Sequence, residues 1–384
     1  MADGECLTAH QPDLDVRRRP IPEGGPPTLD LAPFFKSADT LTAAGIRIPA
    51  RGSNGRGVGI RGRKWGNGPR MMRDRSYHRY ERIRIIEEWS RTGVLTERRL
   101  LPIEEQFRER LDGTGARLFM PVSLSYSDDS WYNTQISYLL EAYDALPNRP
   151  DIAFDSTWKV FESTATRTAR NLSGKPLNIT EALKYLSEHV ALDGAALDSL
   201  LGELPVQTCE YLFKKIVTHV SGENGRKTRG RLTGGNDRND ATGERIKDFL
   251  TLVEGKYLPA ADLDANRKGA MLLRRALAGE TLSIDGTEVA LPEKARLRIL
   301  MSGLLYTARN ERTHGEAFSP FYSSAATLRT YTHPHYLFLS TYALVHLMWS
   351  RSGEPFSPPE KTVEQNVIDN FSEARELYGR HWTR

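Results

Sequence analysis

The chain has 384 residues, 39% hydrophobic and 27% charged, with a formal net charge of +4 at pH 7. That balance fits a soluble globular protein of one or two domains with a mild lean towards anionic partners. No run approaches the roughly 18–20 apolar residues of a membrane helix, and Asp3 and Glu5 without an apolar core speak against a secretory signal. The only two cysteines, Cys6 and Cys209, make a structural disulfide unexpected, which points to a reducing, cytoplasmic compartment.

Residues 1–70 are rich in Pro, Gly and Arg and poor in clustered apolar side chains, so this segment is expected to be a disordered basic tail. From Arg47 to Arg79 run ten Lys or Arg residues against one acid, Asp74, with Trp65 and Tyr77 among them. Such a composition can track a phosphate backbone or simply remain solvated. Gly57-Val58-Gly59-Ile60-Arg61-Gly62 mimics a dinucleotide fingerprint without the strand and helix that give it meaning.

Residues 71–127 read as a helical N-terminal segment. Ile83, Ile86, Trp89 and Val94 fit an amphipathic helix, Pro102-Ile103-Glu104-Glu105 opens a second, and residues 117–127, broken by Pro121, read as a short strand or an extended connector. Helical patterns then follow over 131–146, over 154–171 capped at Asp155 or Ser156, over 179–189 capped at Asn178 or Thr180, and over 195–201 and 203–220, with Cys209 in the apolar pattern as a core residue. Residues 222–243, crowded with Gly, Asn, Asp, Lys and Arg, read as a flexible loop insertion whose Arg226, Lys227, Arg229 and Arg231 are candidates for RNA contact. Helices are expected over 245–258 and 265–277, and Leu282 to Val289 forms a hairpin through Asp285-Gly286.

Pro292-Glu293 then starts a helix with Leu297, Leu300, Met301, Leu304, Leu305 and Ala308 on one apolar stripe. The stripe leads into Arg309-Asn310-Glu311-Arg312-Thr313-His314. At about 100° per residue, an uninterrupted helix points Arg309 and His314 roughly 140° apart. Convergence therefore requires a break before His314, for which Gly315 is a stop signal, or a second copy of the chain. Beyond the hexad, Pro334 is expected to open a last core helix over 335–348, and residues 353–384 supply a C-terminal helix. His333-Pro334-His335 lacks companion ligands for a metal, and no cofactor or metal is expected.

The segment Arg309-Asn310-x-x-x-His314, set between two apolar helices, resembles the Arg-x(4–6)-His motif of the HEPN family, including the polar residue directly after Arg. Asp155 to Glu162 resembles the family's first core helix. The resemblance covers about 131–350 and implies a mainly α, HEPN-like helical bundle over 128–352 with the 222–243 segment inserted. It also implies a metal-independent endoribonuclease of defence or toxin systems, acting as a homodimer or higher oligomer whose motifs meet in one cleft, with an inhibitory or activating protein partner.

Arg309, Asn310 and His314 are the catalytic candidates. A ribose 2′-hydroxyl attacking its phosphate needs a proton-transfer group near neutral pH, which suits His314. The charge gathering on phosphate oxygens suits the paired donors of Arg309, with Asn310 steadying one of the two by hydrogen bonding. Glu311 and Arg312 read as a solvated pair, with Arg312 also a candidate for RNA contact. The mechanism is confined to RNA, because DNA lacks the nucleophile. The alternative function is a catalytically inactive RNA-binding or protein-interaction module of the same fold.

Overall fold

The computed structural model describes residues 100–383 apart from 191–193, 203, 219–221, 236–238, 259–261, 317–318 and 324–325, together with the lone Ile83. The expectations for the basic tail and for the first amphipathic helix lie outside the described residues. What is described is mainly helical with one small antiparallel hairpin, as the periodicity implies.

Helix α1 (Pro102–Thr114) begins with Pro at its first position and ends at Gly115, in the left-handed conformation (φ 65°) that glycine adopts without steric cost. The following stretch to Ser127 forms no strand. Its backbone groups are bonded by side chains: Met120 N–H by Asn370 Oδ1 at 2.8 Å, Met120 O by Asn370 Nδ2 at 2.9 Å, and Val122 N–H by Tyr342 OH at 2.7 Å. Asp129 caps α2 (Ser130–Asp144). Helix α3 spans Pro150–Ser173, starting earlier than the sequence suggested because Pro150 occupies the first turn and Asp151, Ala153 and Phe154 are already buried. Asn178 and Glu181 form a reciprocal cap on α4 (Ile179–His189), and α5 (Gly194–Gly202) follows. Helix α6 (Val206–Phe213) runs into a π-helical turn, Lys214–Thr218, and Cys209 is fully buried there, its thiol pushed up to about 12 by burial.

Residues 222–243 correct the expectation of a flexible loop. Helix α7 occupies Glu223–Thr233, buries Gly225, Thr228 and Leu232, and ends at Gly234. Its polar composition obscured the spacing i, i+3, i+7 of those small and apolar positions, which is enough to seat one face of a solvated helix. Asp240 caps α8 (Ala241–Tyr257), and α9 (Leu263–Leu277) is capped by Asp262. Strands β1 (Leu282–Ile284) and β2 (Thr287–Val289) pair around Asp285 and Gly286, both at positive φ as a two-residue turn requires.

Helix α10 (Glu293–Arg298) continues through a π-helical segment, Ile299–Leu305, into α11 (Tyr306–Thr313). All seven π-helical residues are buried, and Gly303 sits so close to α7 that a Cβ there would come within 3.2 Å of Leu232. Arg298, fully buried, fixes the start of this long unit: its Nη1 donates to both oxygens of Asp240 (2.8 and 2.7 Å), its Nη2 to Glu188 at 2.6 Å, and Lys184 closes on Asp240 at 3.0 Å. This pairing holds the Asp240 carboxyl below its usual range, although burial works in the opposite direction.

Helix α12 spans Leu328–Ser350 and packs along α3 as the centre of the core. It begins about two turns before the expected position, because Thr327 caps it and Leu328, Tyr331 and Thr332 are buried in its first turns. Pro334 lies inside the helix rather than at its start. Helix α13 (Glu360–Tyr378) covers α12 and contacts α1, and a short turn, α14 (Arg380–Thr383), buries Trp382.

Candidate functional site

The hexad occupies the end of α11, and the helix does not break before His314. The His314 N–H donates to Asn310 O at 2.9 Å, and the turn follows at Gly315 (φ 68°), where Gly315 N–H meets Arg312 O at 3.2 Å and Glu316 N–H meets Glu311 O at 2.9 Å. These two bonds satisfy the last free carbonyls of the helix in the manner of a glycine-terminated end. Arg309 and His314 thus keep the divergence of about 140° that helical geometry imposes. Convergence through an early break is excluded for this chain conformation.

A helix sorts residues by face, and the face that carries His314 is Thr307, Asn310, Glu311 and His314, spaced i, i+3, i+4 and i+7. These four form one wall of a cleft of about 300 Å³, with Glu316 at its edge. The other wall is α7, through Glu223, Asn224, Lys227, Thr228 and Arg231. His314 is exposed and its imidazole has no hydrogen-bond partner among the described residues. Glu311, by contrast, is buried: Tyr211 OH donates to its Oε2 at 2.8 Å and Lys215 pairs with its Oε1. Burial together with the Glu311 charge keeps the Tyr211 phenol protonated well above its ordinary range. Behind them His333 packs on Tyr211 with ring centres 4.8 Å apart and shares a hydrogen bond with Thr208 Oγ1 at 3.1 Å. Burial, with the nearby Arg312 adding to it, pushes the His333 pKa down to about 3, so this ring stays neutral.

The opposite flank of α11 meets α3. Arg309 Nη2 lies 3.5 Å from Glu162 Oε2, which also accepts from Trp158 Nε1 at 2.8 Å, and Arg309 Nη1 donates to Asn310 Oδ1 at 3.0 Å. Asn310 therefore touches Arg309 while bordering the cleft. Arg312 donates to both oxygens of Asp155, at 2.7 and 2.6 Å, and to Asp151 at 3.2 Å. Burial opposes the charge of Arg312, but the bonds to Asp155 and the charges of Asp155 and Asp151 outweigh it and raise its pKa.

Several sequence expectations are corrected here. Arg312 is tied into a carboxylate cluster with Asp155 and Asp151 and does not form the expected pair with Glu311. Arg229 is likewise taken up by Glu254, through two parallel bonds. Of the basic residues on α7, Lys227 and Arg231 border the cleft, whereas Arg226 and Arg229 do not. Sequence reasoning missed Tyr211, Lys215 and Glu162 and gave Glu311 only a minor place. The i, i+3, i+4, i+7 pattern through His314 was the available signal for Glu311, and the i, i+4 acids Asp151 and Asp155 on one helix face were the signal for Arg312's partners. Among the described residues no group of three or more His, Cys, Asp or Glu side chains is arranged to hold a metal ion. Compared with protein-family models, curated proteins and solved structures, the chain matches none.

Proposed function

We propose that the chain is a metal-independent endoribonuclease that cleaves single-stranded RNA by attack of the ribose 2′-hydroxyl on its own phosphate. The observation that carries the reading is His314: an exposed imidazole without a protein partner, at a helix end, on a polar cleft that also presents Asn310, Lys227 and Arg231. Such an imidazole is suited to move a proton to or from the 2′-hydroxyl or the leaving 5′-oxygen. Arg309 points away from the cleft of its own chain, so its guanidinium reaches a phosphate beside His314 only from a second protomer. The active species in this reading is a dimer, a defence or toxin effector held in check until two motifs meet.

A second reading, an inactive RNA-binding or protein-interaction module, draws on the ion pairs that already occupy Arg309 and Arg312.

Cleavage of a single-stranded RNA in EDTA separates the two. His314→Ala and Arg309→Ala are each expected to lower the rate by about 10²–10⁴-fold, the range of a lost acid–base group or charge-stabilising donor. An equal mixture of the two variants is expected to regain cleavage, because a mixed dimer retains one His314 and one Arg309. Full activity of His314→Ala removes His314 and its motif from the reaction. Absence of recovery in the mixture removes the composite site.

A further inference from the structure

Among the described residues, Arg231 has no counter-charge within ion-pair distance. The neighbouring guanidiniums are matched: Arg229 to Glu254, Arg298 to Asp240 and Glu188, Arg312 to Asp151 and Asp155. That is the expected arrangement, because removing a guanidinium from water without an anion is costly. Arg231 is half-buried and burial disfavours its charge, yet among the described residues no carboxylate lies within ion-pair distance of it. Neutral groups hold it instead. Its Nη2 donates to Thr228 Oγ1 at 3.0 Å and Thr307 Oγ1 at 2.9 Å, its Nε lies 3.5 Å from Ser302 O, and its plane sits over the Tyr306 ring at 4.8 Å. Nη1 is left with no partner among the described residues, on a side chain that borders the cleft. Each of the three carboxylates around the cleft already has a partner: Glu311 has Tyr211 and Lys215 behind it, and on the cleft wall Glu223 pairs with Lys227 and Glu316 accepts from Asn224.

We propose that this cleft is a phosphate-binding site complete within one protomer, in which Arg231 is the fixed cation for an RNA phosphodiester. Asn310 and the Arg231-bound Thr307 lie on the same wall as His314 and orient the phosphate beside the imidazole. A stacked guanidinium that keeps free N–H donors is preorganised for phosphate oxygens, since its position costs nothing further when the anion arrives. Arg231, one of four basic candidates on its segment, is thus singled out by packing and not by its place in the sequence. The inference rests on the ribonuclease reading for the choice of RNA as the source of the phosphate.

The test is binding of a fluorescent, fully 2′-O-methylated single-stranded RNA, which cannot be cleaved, to the full chain in EDTA. Arg231→Met is expected to weaken binding at least about tenfold, the loss of one charge-assisted donor pair. Arg229→Met, whose guanidinium is already engaged on the same helix, is expected to change it much less. In the wild-type chain, bound oligonucleotide is expected to shield Arg231 from phenylglyoxal, read by mass spectrometry, which keeps the proposal testable if Arg231→Met fails to fold. A 5′-mononucleotide that competes fully identifies a terminal phosphate as the ligand, and one that does not compete identifies an internal phosphodiester. Unchanged affinity in a folded Arg231→Met, no binding by the wild-type chain, or unshielded Arg231 overturns the proposal. Binding lost in Arg231→Met while the wild type cleaves no RNA removes the ribonuclease reading alone; cleavage with Arg231-independent binding removes this inference alone.

Discussion

The two flanks of α11 carry similar residue types in opposite electrostatic states. Towards α3, Arg309 and Arg312 meet Glu162, Asp155 and Asp151, and every cation has an anion. Towards α7, Arg231 is held by hydroxyls and a ring, the carboxylates have other partners, and His314 is open to solvent. A motif names residues in chain order, but one turn of helix assigns neighbours in that motif to different tasks. The α3 flank has the character of a structural joint, and the α7 flank is the one on which the proposed phosphate site rests. The ordering is local physics: residues three and four apart share a face, and adjacent residues do not.

The comparison is most exposed at Asp151. Its carboxylate is fully buried and accepts from Arg149 at 2.9 and 2.8 Å as well as from Arg312. Asp151→Ala leaves Arg149 without its anion and Arg312 with Asp155 alone, and is expected to cost about 3 kcal/mol in urea unfolding. An unchanged midpoint with tighter RNA binding would instead return Arg312 to the ligand side.

A second contrast is between histidines. His314 is exposed, whereas His346 is fully buried on α12 and burial pushes its pKa from 6.5 down to about 3. Because the unfolded chain takes up a proton in that interval and the folded chain does not, stability is complete above pH 6.5 and declines as the pH falls towards about 3. The decline attributable to His346 is expected to reach at most ~1.4 kcal/mol per pH unit. Unfolding midpoints of a His346→Gln variant should show a correspondingly flatter acid slope.

The smallest effect is expected at Glu162, a partly exposed partner 3.5 Å from Arg309. Glu162→Gln should move stability by no more than about 1 kcal/mol and leave cleavage unchanged or faster, since it releases Arg309 for a second protomer. A clear loss of cleavage would make Glu162 a member of the site itself.

Much of the fold was legible because its signals are short-range. The apolar stripe from Leu297 to Ala308, the Asn178 cap and the Asp285-Gly286 turn each depend on residues within a few positions of one another, and each is found in the structure. Legibility failed where composition masked spacing, as in α7, and where packing extended a helix beyond its apolar signal, as at Pro150 and Thr327. At the site, His314 and Asn310 were visible as a motif, and their position at the cleft follows from the helix that carries them. Arg231 was visible only as one of four basic residues on a polar stretch. Nothing local distinguishes it from Arg229, two positions earlier.

By itself, the sequence determined the helical class, most helix starts and stops, the hairpin, and the divergence of Arg309 from His314, because these follow from backbone periodicity and capping over a turn or two. Tertiary structure alone decided which guanidinium is spent and which is left free. That outcome depends on whether Glu254, Asp151 or Asp155 reaches a given arginine across the fold, and electrostatic partners distant in sequence are assigned only by packing.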